Sequence, residues 1–379
     1  MQLPVYLDYN ATTPVDPRVV DAMLPYLREH FGNPSSAHIY GQQAHAAVVT
    51  AREQVTALIA ARPEEILFTG CATEANNLAI RGVARALRKR GRHIVTSAVE
   101  HPSVVAPCER LRQDGWDITI VPVDRHGRVD LGMIADALRT DTVLVSVMHA
   151  NNEVGTVQPI AEIASITRPR GILLHTDAAQ SAGKIPVSVD DLGVDLLTLA
   201  GHKFYATKGV GALYVRAGTP IEPVLVGAGH EHGLRPGTEN VPALVGIGAA
   251  AHLAAQSLDE ENAGIRTLRD HLHNALAQSI TELTLNGHPD WRLPNTLNLS
   301  FPGVGGRELL TRARADVAAS VGSACHAGEA SVSGVLGAMG VTPEQANGAV
   351  RLSLGRTTTE MEIARAAQAL IAAWRHCAT

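Results

Sequence analysis

Reactive side chains recur at one kind of place along this chain, just after a short apolar run. Thr73 and Glu74 follow FTG, His101 follows HIVTS (93–97), and Asn152 follows TVLVSVMH (142–149). Asp177 and Gln180 follow ILLHT, and His202 and Lys203 follow DLLTLA. A carboxylate, an amine, imidazoles, amides and a helix start with free N–H groups suit a phosphate-bearing, nitrogen-containing aldehyde, which is pyridoxal phosphate. In that reading Lys203 forms the Schiff base and Asp177 keeps the pyridine nitrogen protonated. The backbone at Ala72 and Thr73 receives the phosphate at a helix N-terminus, and His101 stacks on the ring and assists proton transfer. Lysine is scarce here, because Lys89, Lys184, Lys203 and Lys208 are the only lysines among 32 basic residues. Neither a GxxxxGKS/T loop nor a GxGxxG between strand and helix offers a rival cofactor. Taken singly, such a lysine is a solvated group, such an aspartate a helix cap and such a histidine a structural residue. Their shared position is what points to a site.

A different chemistry is suggested by SVGSACHAGEASVSG, residues 320–334. Serine, glycine and alanine leave little bulk around the Cys325 sulfur, so the stretch reads as a mobile or exposed loop presenting a thiol. His326 beside it is either a group that helps deprotonate that thiol or a solvated loop histidine. Cys71, Cys108 and Cys377 read as small buried residues. The four cysteines form no CxxC pair, which argues against a disulfide framework and a structural zinc site.

The elements that must position these groups alternate. Ala44, Ala47, Val48, Ala51, Val55, Leu58 and Ile59 recur at helical spacing. Apolar runs at 93–97, 118–123, 142–149, 172–177, 195–201 and 211–215 read as strands, with helical patterns at 103–114, 130–139 and 159–168 between them. Strand–helix alternation predicts an α/β domain with a largely parallel sheet flanked by helices, whose ligands collect at the carboxyl ends of the strands. From 259 the pattern changes to a long helix near 259–279, strand-like NTLNLSF, the Cys325 loop, strand-like VRLSLG and a terminal helix from about 358. The reading is a large domain over 15–258 and a smaller α+β domain made of 1–14 with 259–379.

Composition bounds the rest. A chain of 379 residues, 45% hydrophobic, can bury a large core. A net charge of −5 does not suggest direct nucleic-acid binding, and the basic run RALRKRGR (85–92) reads as a solvated helix end. No stretch reaches the ~18 apolar residues of a membrane span by this reading, and the cytoplasm is the expected location.

One ordered series of motifs runs through nearly the whole chain: YLDYNATTP, GNPSSAHIYG, TGCATEANN, VEHPSV, HANNEVG, HTDAAQSAGK, GHKFYATKG, LRPGTEN, LPNTLNLSF, GSACHAG and VRLSLGRTTT. It resembles the cysteine desulfurases, pyridoxal-phosphate enzymes of fold type I within the class V aminotransferases, and its cysteine loop is similar to that of the iron–sulfur-cluster type. The resemblance implies that Lys203 carries the cofactor, with Ala72, Thr73, Asn152, Asp177, Gln180 and His202 around it and His101 stacked on it. It implies that Thr238 reaches the phosphate of a neighbouring subunit, hence a homodimer, and that Arg356 with Asn152 clamps the substrate carboxylate. Cys325 would take sulfur from L-cysteine as a persulfide, leave alanine, and pass the sulfur to an acceptor protein for iron–sulfur cluster assembly, tRNA thiolation or DNA phosphorothioation. Ala200 stands where many relatives carry a serine that touches the phosphate, YATKG stands for the more usual YGPKG, and the strand register of RARADVAAS is irregular. Two other readings stay open: a selenocysteine lyase, in which Cys325 discriminates rather than attacks, and a cofactor-bearing partner protein in a sulfur-transfer complex.

Overall fold

Short, mostly apolar runs buried along their whole length must be covered on both faces, and that demand organises all but one edge strand of the large sheet. In this computed structural model, which describes residues 3–322 and 333–378, those runs form one sheet. Its strands are preceded by the short β1 (Val5–Tyr6) and comprise β2 (Ile66–Thr69), β3 (His93–Ser97), β4 (Asp117–Val121), β5 (Thr142–Ser146), β6 (Leu173–Asp177), β7 (Leu196–Ala200) and β8 (Gly211–Val215). They lie in the order β2-β8-β7-β6-β5-β3-β4. β3 to β7 pair with one another in parallel, while β8 runs antiparallel to both β7 and β2. The α/β class and the mostly parallel sheet are as expected; the reversal of β8 follows from a connection too short for a crossover.

The first four helices are α1 (Pro17–Arg28), α2 (Ile39–Ile59), α3 (Ala72–Leu87) and α4 (Pro102–Gln113). α3 and α4 cover one face through Ala79, Val83, Val104 and Leu111, and α2 covers the other through Val48, Ala51 and Val55. The helix expected near 259–279 is the second half of a 39-residue helix, Val241–Ser279. Its first half, with Leu244, Ile247 and Ala251, belongs to the core under the large sheet, and its second half, with Leu272 and Leu276, to a separate core. By length and composition this helix is apolar enough to cross a membrane, with a mean hydropathy of 1.4 over its most apolar window, which corrects the sequence reading. Half of that window is buried against the protein, where it serves as a core helix.

The second core lies around an antiparallel sheet of β9 (Thr284–Asn286), β10 (Thr296–Ser300) and β12 (Ala349–Ser353), with β11 (Val317–Ala318) paired in parallel to β1. The irregular stretch RARADVAAS therefore supplies a two-residue strand, registered Val5 to Val317 and Tyr6 to Ala318.

Close approach of the long helix to α2 depends on Gly248, where a Cβ would lie 2.6 Å from the Ala51 backbone. Gly248→Ala must push the two helices apart, and a loss of roughly 1–3 kcal/mol in denaturant unfolding is expected. Wild-type stability in that variant would contradict the packing described.

Candidate active site

The carboxyl ends of the parallel strands open on a cavity of about 300 Å³. Lys203 reaches it from the single 3₁₀ turn Gly201–Lys203 that ends β7, and its Nζ donates to the carbonyls of Asn10 (2.6 Å) and Ala11 (2.8 Å). Asp177 is the last residue of β6 and is buried; its Oδ2 accepts from Asn76 Nδ2 (2.8 Å) and its Oδ1 from the Ala179 amide (2.9 Å). Two N–H donors on one buried carboxyl fix its orientation at the cavity wall.

His101 caps α4 and takes the Ser103 amide on Nδ1 at 3.1 Å, which leaves the proton of the neutral ring on Nε2. Burial lowers its pKa from the ordinary histidine value, while Asp177 opposes the shift and Lys203 adds to it. Asn76 Nδ2 also donates to Ser103 Oγ (2.8 Å), so one amide ties the aspartate to the histidine. His202 has Nδ1 3.1 Å from Thr12 Oγ1, and burial together with the nearby lysines pushes its pKa down to about 4.

Ala72 and Thr73 open α3, whose N-cap residue Cys71 gives the first-turn amides no side-chain hydrogen bond. Cys71, Ala72 and Thr73 line the cavity, and the free amides of a first helical turn are suited to an anion. Gly211 makes the approach possible, because a Cβ there would lie 2.8 Å from the Cys71 carbonyl carbon and 2.9 Å from the Ala72 nitrogen. Cys71 is exposed, contrary to the expectation of a small buried residue; Cys108 is buried and its thiol pKa is pushed up to about 12 by burial, and Cys377 is half-buried. Ala200 lines the same cavity and brings no hydroxyl to it.

Asn152 and Gln180 also line the cavity, and Gln180 Nε2 donates to the Asn10 carbonyl at 2.9 Å. Thr238, expected at a neighbouring subunit's phosphate, and Arg356, expected at the substrate carboxylate, do not line this cavity. Thr238 is exposed before the long helix and does not line the cavity of its own chain. Arg356 is turned away into an ion-pair knot with Asp16 (3.0 Å) and Glu261 (2.7 Å), its guanidinium 4.5 Å from the Tyr205 ring centre. The arginine that does line the cavity is Arg351 on β12, held by Asp8 at 2.8 Å and by the Asn152 carbonyl at 3.0 Å. Cys325 and His326 lie outside the described residues. The described residues on either side, Gly322 and Ser333, meet at one carboxylate: a Cβ on Gly322 would lie 3.1 Å from Glu153 Oε2, and Ser333 Oγ donates to that oxygen at 2.5 Å.

Sequence reasoning overlooked Asn10, Asn76, Glu100 and Arg351. An arginine inside the apolar run AVRLS was a readable sign, since a charge there needs a buried partner or a ligand. Asn76 lies one helical turn after Ala72, and Glu100 adjoins His101. Asn10 gave no local cue.

The class V aminotransferase family model matches residues 5–366, and the chain belongs to that family. The cysteine desulfurase IscS of Dictyoglomus turgidum is 47% identical over 364 residues, 96% of this chain and 92% of that protein. A solved NifS-like protein shares 39% identity with a TM-score of 0.92 over 98% of this chain and 99% of its own. A structure described as SspA in complex with cysteine shares 36% identity with a TM-score of 0.83, covering 93% and 99%. The chain is thus one of the cysteine desulfurases, which are pyridoxal-phosphate-dependent enzymes. The residues present fit that cofactor: a buried carboxylate for its ring nitrogen, uncapped helix amides for its phosphate and a lysine amine for its aldehyde. Among the described residues no cluster of three or more His, Cys, Asp or Glu could hold a metal ion.

Glu100, on the cavity wall, accepts from Ser97 Oγ (2.6 Å) and the Met148 amide (2.9 Å) through Oε1, while Oε2 has no partner. Burial pushes its pKa up from 4.5 to about 8. A carboxyl raised in this way stabilises the fold fully below pH 4.5, and that contribution is lost as the pH rises toward about 8. Glu100→Gln is expected to flatten the decline in urea-unfolding stability over that window. Parallel curves for variant and wild type would show that Glu100 is not protonated.

Proposed function

We propose that this chain converts L-cysteine to L-alanine and transfers the sulfur to Cys325 as a persulfide for delivery to an acceptor protein. The observation that carries the reading is the convergence of Lys203, Asp177, His101 and Arg351 on one cavity with the N-terminus of α3. Lys203 binds the cofactor covalently, Asp177 holds its ring nitrogen, Ala72 and Thr73 hold its phosphate, His101 stacks on it, and Gln180, Asn152 and His202 line its surroundings. When bound, pyridoxal phosphate supplies the electron sink that lets the amino acid lose its α-proton.

Arg351 replaces Arg356 as the clamp on the substrate carboxylate. It lines the cavity beside Asn152, its Nε has no partner, and its planar fork suits two carboxylate oxygens. Arg356 already holds two carboxylates and is a structural tie. Cys325 is three residues beyond Gly322, and three residues of chain reach at most about 11 Å. Its thiolate attacks the substrate sulfur: the S–S bond forms, the C–S bond breaks, and the carbon that keeps the electron pair is protonated to give alanine.

Further parts of the reading concern assembly. Thr238 serves the cofactor phosphate of a second copy in a homodimer, supported by exposed apolar side chains at Phe31, Ile39 and Tyr40, and at Leu225 and Val226 on the segment that leads to Thr238. The domain division at 258/259 falls inside the long helix, whose halves serve different cores. A cytoplasmic setting suits three described cysteines that are all free.

Alanine release tests this directly. Cys325→Ala is expected to lose turnover of L-cysteine by at least ~1,000-fold while keeping that of L-selenocysteine, as for removal of a nucleophile that the better leaving group does not need. Arg351→Ala should raise KM for cysteine about 10- to 100-fold, the loss of a charge-assisted pair, whereas Arg356→Ala should lower the melting temperature and leave KM nearly unchanged. The opposite behaviour of the two arginines would return the clamp to Arg356. A wild type that uses selenocysteine and ignores cysteine would make the chain a selenocysteine lyase.

A further inference from the structure

Lys184 closes the motif HTDAAQSAGK and has no part in the reading above, yet it is a buried lysine next to the site. Its Nζ donates to Gln180 Oε1 (2.8 Å) and Asn10 Oδ1 (3.3 Å). Both acceptor residues are linked to Lys203 through one backbone carbonyl, that of Asn10. Gln180 Nε2 donates to the Asn10 carbonyl at 2.9 Å, and that carbonyl with its neighbour at Ala11 receives the Lys203 amine at 2.6 and 2.8 Å. The Asn10 side chain is further pinned by Asn295 Nδ2 (3.0 Å) and Thr296 Oγ1 (2.8 Å).

A charged amine at this depth is costly, and burial holds the Lys184 pKa well below the lysine range, with the like charges of Lys203 and Arg351 adding to the shift. A neutral amine has two N–H donors, and two oxygens meet it.

We propose that Lys184 is a positioning residue for Lys203: through Asn10 and Gln180 it holds the two carbonyls that receive the Lys203 amine whenever that amine is not bonded to the cofactor. The proposal rests on the reading of Lys203 as the cofactor lysine. A berth of fixed geometry keeps the amine oriented toward the cavity, so it re-forms its bond to the cofactor without a search through rotamers.

The test removes cofactor from the purified enzyme, adds back one equivalent of pyridoxal phosphate, quenches with borohydride at timed intervals, and locates the label by peptide mass. In wild type the label should appear on Lys203. Lys184→Met, which keeps the stem and loses the donor, should slow capture at Lys203 about tenfold, the effect of one buried hydrogen bond. Lys184→Gln, which restores an N–H donor, should recover most of the rate. Capture in Lys184→Met at the wild-type rate would overturn the proposal. If that variant does not fold, Asn10→Ala, which leaves both backbone carbonyls in place, must show the same slowing, and a wild-type rate there would overturn it equally. A wild-type label on a residue other than Lys203 would instead overturn the assignment of the cofactor lysine.

Discussion

Every polar atom of Asn10 is hydrogen-bonded, and its partners come from the three-stranded sheet and from the loops and turns beyond the strands of the large one. Its amide donates to Ser353 Oγ on β12, its carbonyl accepts from Lys203 and Gln180, and its side chain meets Lys184, Asn295, Thr296 and the Asn152 carbonyl. Residues around it continue the seam, since the Thr13 amide donates to the His202 carbonyl and the Asp16 amide to that of Tyr205. The N-terminal segment thus begins as a strand of the smaller unit and ends as the wall behind the lysine turn. Displacing Asn10 would move the amine of Lys203 and the arginine end of the cavity together, because Arg351 shares the Asn152 carbonyl with it.

Charge is the second constraint. The cavity has Asp177, Glu100 and Glu153 on its walls together with Lys203 and Arg351, in surroundings where an uncompensated charge costs several kcal/mol. The protein meets this in three ways. Arg351 is paired with Asp8, Asp177 is bound by two N–H donors, and Glu100, Lys184, His202 and His149 are pushed toward their neutral forms by burial.

Much of the fold was legible because most strands of the large sheet are short runs buried along their whole length and the helices between them have apolar faces; His93–Ser97 and Gly211–Val215 match to the residue. The direction of β8 was not legible, because a strand of five apolar residues reads the same either way. The start of the long helix was hidden by alanine and glycine, which give a weak helical stripe and pack closely on α2 only in three dimensions. In the site, residues directly after strands were readable from the rule that ligands gather there, and Lys203, Asp177, His101, Asn152 and Gln180 do meet. Arg351 and Arg356 could not be separated by pattern, since both lie in VRLSLGRTTT and only packing shows which one faces the cavity. Asn10 was invisible for the same reason: its partners are at 152, 180, 184, 203, 295, 296 and 353, and nothing local marks it.

The central claim is that sulfur leaves cysteine in this cavity and arrives on Cys325. Cofactor-loaded enzyme given a single equivalent of L-cysteine, quenched with a thiol-alkylating reagent and mapped by peptide mass, measures that transfer. The account predicts alanine in a one-to-one ratio with a gain of one sulfur atom on the Cys325 peptide and on no other. Alanine accompanied by free sulfide with Cys325 unchanged, or the extra sulfur on the cavity-lining Cys71, would contradict it.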